Sequence, residues 1–81
     1  MTYKIKNINF DYDEISDVLY ANLGKPIKAK SEEYENGIIF RVDLASGKYI
    51  GFTILDYRER LKLGILKTIP HFDGIDLPSV I

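Results

Sequence analysis

Four carboxylates, Asp11, Asp13, Glu14 and Asp17, fall within seven residues of an 81-residue chain. Oxygen-only clusters of this kind suit hard cations such as calcium. The spacing starts like a calcium-binding loop, with Asp11 and Asp13 at alternate positions. It then departs from that pattern. Ile15 stands where the next ligand belongs, Ser16 replaces the sharply turning glycine, and Asn22 occupies the place of the closing glutamate. The same carboxylates could form a general acid/base pair if burial or a like charge raised the pKa of one while another stayed ionised. A second reading needs no ligand. Asp, Glu and Ser side chains accept hydrogen bonds from nearby backbone N–H groups and so build turns and caps.

Other chemistry is sparse. The chain has no Cys and a single His. Disulfides and thiolate metal sites are therefore excluded. His71 could act as a general base oriented by Asp73, but it has no second imidazole with which to share a metal, and packing or capping is its simpler role. No glycine-rich phosphate loop or nucleophile–base set is present. No catalytic residue is assigned and no cofactor is expected. Arg58, Arg60, Lys62 and Lys67 make one basic stretch, beside Tyr57, that could touch phosphates. The net charge of −1 argues against a nucleic-acid partner. Residues 57–67 carry a net +3 and residues 31–56 a net −3. These are two solvated faces or a pair of complementary surfaces.

The elements that position these groups read mostly as strands. Tyr3–Lys6 and Asn7–Phe10 each alternate, but the apolar positions move from odd to even numbers between Ile5 and Ile8. That change predicts an irregularity near Lys6-Asn7, or a frayed end before a strand over 7–11. Asp11–Ser16 is a turn, and Asp17–Leu23 a strand with Leu19, Ala21 and Leu23 on one face. Gly24-Lys25-Pro26 ends it. Ile27–Tyr34 is a polar edge strand whose charges guard against indiscriminate pairing. After the turn Glu35-Asn36-Gly37, the strands Gly37–Asp43 and Lys48–Asp56 place Ile38, Phe40 and Val42 against Ile50, Phe52 and Ile54. Tyr57–Leu63 reads as a short helix. The whole is one small domain over 1–81, of class α+β and mostly β. The expected architecture is an antiparallel four- to five-stranded meander with a short C-terminal helix or extended tail.

Association is expected from the same reading. A domain this small has a thin core, and self-association is a common supplement, most often as a homodimer. Six tyrosines, a residue type enriched at contact surfaces, fall along the chain. Tyr20 and Tyr49 are placed opposite the core face, and the tail carries apolar Leu77, Val80 and Ile81. These five residues form the expected interaction surface. No apolar run is long enough to span a membrane or form a signal-peptide core, and a cytoplasmic location is expected.

The runs F-D-Y-D-E-I-S-D-V-L-Y-A-N-L, E-E-Y-E-N-G-I-I-F-R-V-D and G-K-Y-I-G-F-T-I-L-D, in this order, resemble a family of small bacterial proteins, the domain of unknown function 2283. The resemblance covers about residues 8–58 and leaves the tail from Leu61 outside. Two departures stand out: Ile15-Ser16 replaces small or acidic residues, and Arg41 interrupts an apolar strand. The resemblance implies a compact β-rich accessory protein. It carries over no catalytic residue. It suggests an antitoxin-like role beside a small toxin-like protein.

Three functional classes follow. The first is a non-enzymatic protein-interaction module. The second is a small-ligand or divalent-cation module using Asp11, Asp13, Glu14 and Asp17. The third is a small hydrolase or nuclease relying on Asp and His71.

Overall fold

The computed structural model describes residues 2–5, 8–24 and 28–64. Six antiparallel strands and one helix follow in chain order: β1 (Thr2–Ile5), β2 (Ile8–Asp13), β3 (Val18–Leu23), β4 (Ala29–Glu35), β5 (Ile38–Asp43), β6 (Tyr49–Leu55) and α1 (Tyr57–Lys62). They form one sheet in the order β1-β2-β3-β6-β5-β4. The mostly β, α+β class holds. The single meander of four or five strands does not: two three-stranded meanders meet where β3 pairs with β6.

Two physical causes explain the difference. The change of parity between Ile5 and Ile8 reflects two antiparallel strands rather than one, since Ile5 faces Ile8 across the β1–β2 pair. That adds a strand. The second cause is composition. β4 reads Ala-Lys-Ser-Glu-Glu-Tyr-Glu, and every residue after Ala29 is exposed. Beside β3 it would have to bury charges, which costs several kcal/mol without partners. β6, reading Tyr-Ile-Gly-Phe-Thr-Ile-Leu, takes the central place, and β4 is left at the edge.

The alternation of β2 and β5 is complete, with buried and less buried residues in strict turn. Ile8, Phe10, Tyr12, Leu19, Ala21, Ile38, Phe40, Phe52, Ile54 and Tyr57 form one buried cluster. Register explains how its rings meet. Phe10 faces Ala21, and Ala21 faces Phe52. The small Ala21 lets the flanking rings reach over it into an edge-to-face contact, with centroids 6.3 Å apart. Phe40 faces Phe52 on the next strand, so the aromatic row continues outward to β5.

One residue of slippage changes a side chain's face. The β5–β6 register shifts between Arg41 and Val42: Arg41 faces Gly51, whereas Val42 faces Tyr49. Ile50 is the extra residue, and Tyr49 turns to the core side. There its ring meets Phe40 edge-on with centroids 5.3 Å apart. The expectation that Tyr49 shares the second face with Tyr20 is therefore corrected. Gly51 sits on that second face, where a Cβ would stand 2.4 Å from the Ala21 carbonyl oxygen. Only glycine lets the two central strands approach so closely there.

Candidate functional site

The acidic turn is an organising point of the fold. Asp13 closes the turn: its Oδ1 accepts hydrogen bonds from the Ile15 N–H at 3.0 Å and the Ser16 N–H at 3.3 Å. Hydrogen bonding from Ser16 holds the Asp13 carboxyl below the usual carboxylate range. Asp17 adopts a left-handed backbone, φ 56°, which Asp tolerates better than most residues. That conformation turns its carboxylate toward the start of α1. Its Oδ1 accepts from the Tyr12 hydroxyl at 2.6 Å and from the Arg58 N–H at 2.8 Å, and Oδ2 accepts a long bond of 3.4 Å from the Glu59 N–H. Its backbone carbonyl takes the Tyr57 N–H at 3.0 Å.

The helix is therefore capped from a distance. Asp56 occupies the N-cap position with φ 54° but makes no side-chain cap bond. Asp17 supplies what Asp56 does not, satisfying N–H groups that have no partner within a helix. Its carboxylate also faces the positive end of the helix dipole. Burial pushes the Asp17 pKa up, but the Tyr12 hydroxyl, the two backbone N–H groups and the Arg58 charge outweigh it, and the net direction is down. Tyr12 responds in the opposite sense. Burial, and then the bond to Asp17, push its hydroxyl up to about 12. Tyr57, also buried, meets the Tyr12 ring edge-on at 6.0 Å and is likewise raised to about 12 by burial.

The other members of the acidic cluster point elsewhere. Asp11 is exposed on the second sheet face, opposite Tyr20 in register, and Glu14 is exposed in the turn. Among the described residues, no group of three or more His, Cys, Asp or Glu side chains converges to hold a metal ion. The four carboxylates thus divide between turn, cap and solvent. These bonds hold Asp13 and Asp17 in the ionised form, so neither is the raised-pKa member that a general acid/base pair requires.

The basic stretch divides in the same way. Arg58 lies over the Tyr12 ring, 5.1 Å from its centroid. Arg60 donates from Nε to the Leu55 carbonyl at 2.8 Å and from a terminal nitrogen to the Asn36 carbonyl, tying α1 to the β4–β5 turn. Lys62 is exposed, and Lys67, His71, Leu77, Val80 and Ile81 lie outside the described residues. Nothing in the local sequence signals the reach of Asp17 to Arg58, a partner 41 positions away.

The second sheet face carries a different kind of surface. One register row runs Asp11, Tyr20, Thr53, Ile39 and Glu33 across five strands. Tyr20 and Leu55 are exposed there, 41% and 38%, while Ile39 and Thr53 are half-buried. Arg41 donates to the Asn22 side-chain oxygen at 3.3 Å on the adjoining row. The result is an apolar centre with a polar rim.

An all-antiparallel sheet with a remotely capped helix defines a small β-rich domain. Residues 9–58, more than half of the chain, match the model of a protein family described as protein of unknown function (DUF2283), and the chain belongs to that family. No curated protein and no solved structure matches the chain. Among the described residues no helix is long and apolar enough to cross a membrane.

Proposed function

We propose that the chain is a non-enzymatic protein-interaction module that uses the second face of its sheet, centred on Tyr20. The observation that carries this reading is the exposure of Tyr20 and Leu55 beside half-buried Ile39 and Thr53, within a rim that includes Asp11, Asn22 and Arg41. Protein contacts favour this composition: an aromatic residue at the centre, polar groups around it. The engagement of Asp13 and Asp17 in turn and cap supports the same reading, since it removes the charged groups that catalysis or cation binding would use. The family resemblance suggests a small toxin-like protein as the partner.

Tyr20→Glu and Leu55→Glu place a charge on this surface without touching the buried cluster. Each variant is expected to keep the wild-type melting temperature. A partner that co-purifies with wild type and is lost with both variants supports the reading. Recovery of the same proteins by all three chains overturns it.

A further inference from the structure

We propose that two copies of this chain pair edge to edge through β4, antiparallel, with Ser31 on the two-fold axis. This surface is separate from the open face, so either can fail alone. Among the described residues β4 has a strand neighbour on one side only, and its side chains from Lys30 to Glu35 are all exposed. Such an edge offers a row of backbone donors and acceptors, and a second strand is the natural occupant.

The charges of this strand select that occupant. Lys30 lies near its start, just after Lys28, and Glu32, Glu33 and Glu35 follow in the rest of the strand. Antiparallel pairing of two such strands brings the positive start of each against the negative part of the other. A two-fold axis normal to the sheet makes the central residue face its own copy. With Ser31 there, Lys30 faces the partner's Glu32, and symmetry repeats the pair. Moving the axis by one residue sets Lys30 against Lys30 or Glu32 against Glu32. Like charges directly opposite are destabilising, so one register stands apart from its neighbours.

Two further features agree. The β4–β5 register is continuous from Ala29 to Glu33 and shifts between Glu33 and Glu35. Ser31 is the midpoint of that regular run. Glu32 is also held in place: its Oε1 accepts the Tyr49 hydroxyl at 3.1 Å, which leaves its other oxygen for a lysine. The same charges that discourage pairing with an arbitrary strand thus admit a second copy in one register.

A chain without Cys allows a clean test by single-cysteine variants. Opposed residues in an antiparallel pair have Cα atoms about 4.5–5.5 Å apart, inside the disulfide range of about 4.4–6.8 Å. Ser31→Cys is therefore expected to form a covalent dimer in a glutathione redox buffer. Lys30→Cys is not, because its own copy lies two residues along, roughly 8 Å away. Light scattering gives the second arm. Wild type is expected to be a dimer. Lys30→Glu and Glu32→Lys are each expected to weaken association by about tenfold or more, and the double reversal Lys30→Glu/Glu32→Lys is expected to restore it. A monomeric wild type, equal crosslinking at positions 30 and 31, or a double reversal as weak as the singles would each overturn the proposal. All five β4 variants change exposed side chains, and an unchanged far-ultraviolet circular dichroism spectrum confirms that they fold.

Discussion

The remote cap can be tested by three substitutions at Asp17 that remove its properties separately. Asp17→Asn keeps the shape and the tolerance for φ 56° but removes the charge. Its oxygen can retain the bonds from Tyr12 and Arg58, at 2.6 and 2.8 Å, while its amide meets the Glu59 N–H and cannot accept from it. Replacing charge-assisted bonds by neutral ones at a partly exposed position costs about 1 kcal/mol. Asp17→Gly loses both strong bonds but fits the left-handed backbone, for a cost of about 2 kcal/mol. Asp17→Ala loses the same bonds and adds left-handed strain of about 1 kcal/mol, for a total near 3 kcal/mol. The expected order of stability is wild type, Asn, Gly, Ala. At about 4–8 °C per kcal/mol for a domain this size, the alanine variant should melt about 12–24 °C below wild type. Urea unfolding followed by circular dichroism measures each difference. A double-mutant cycle with Tyr12→Phe isolates the hydroxyl–carboxylate bond, with an expected coupling of about 1–2 kcal/mol. Equal stability of the alanine and glycine variants, or additivity in the cycle, would refute this account of the turn.

Other expectations follow from the same geometry. Gly51→Ala should destabilise by about 2–3 kcal/mol in urea unfolding, because its Cβ would meet the backbone oxygen of Ala21 at 2.4 Å and backbone cannot step aside as a flexible side chain can. Tyr12 and Tyr57 are raised to about 12 in the folded state, above their unfolded value of 10.0. Their contribution is fully present below pH 10 and is lost as pH rises from about 10 to 12, so alkaline unfolding should coincide with the appearance of tyrosinate absorbance. Asp17 is shifted in the opposite direction, so its contribution is present above the unfolded carboxylate pKa and is lost as pH falls through its lower folded value. Asp17→Asn should accordingly flatten the acid limb of a stability profile. Calcium, magnesium and manganese should leave the melting temperature unchanged, since the acidic turn is already occupied by the chain's own N–H groups.

Much of the fold was legible because its signals are local. The alternation of Ile38, Phe40 and Val42 and of Phe52 and Ile54 identified β5 and β6 and paired them, and the helix at Tyr57–Lys62 fell where the apolar spacing changed. What escaped was long-range or a matter of one residue. The parity change between Ile5 and Ile8 was visible, but a reversal and a bulge leave the same trace in a sequence. The pairing of β3 with β6 depends on β4 being too polar for the interior, a comparison among strands. Tyr49 was assigned to the wrong face because a single extra residue, Ile50, inverts everything before it on the strand. Turn chemistry at Asp13 is legible in the sequence because its partners, the Ile15 and Ser16 N–H groups, are two and three residues away. The role of Asp17 was not legible, because its partners are brought close only by the completed sheet.

The capping of α1 by a residue from the β2–β3 turn sets an order of events. A six-residue helix cannot persist alone in water, where segments shorter than about 12–15 residues are marginal. The groups that hold its first turn, Asp17 and the Tyr12 ring beneath Arg58, exist only after β2 and β3 have paired. The helix is therefore expected to form late, to contribute little to the folding transition state and to be among the first regions to open. Its amides should exchange with solvent sooner than those of β3 and β6.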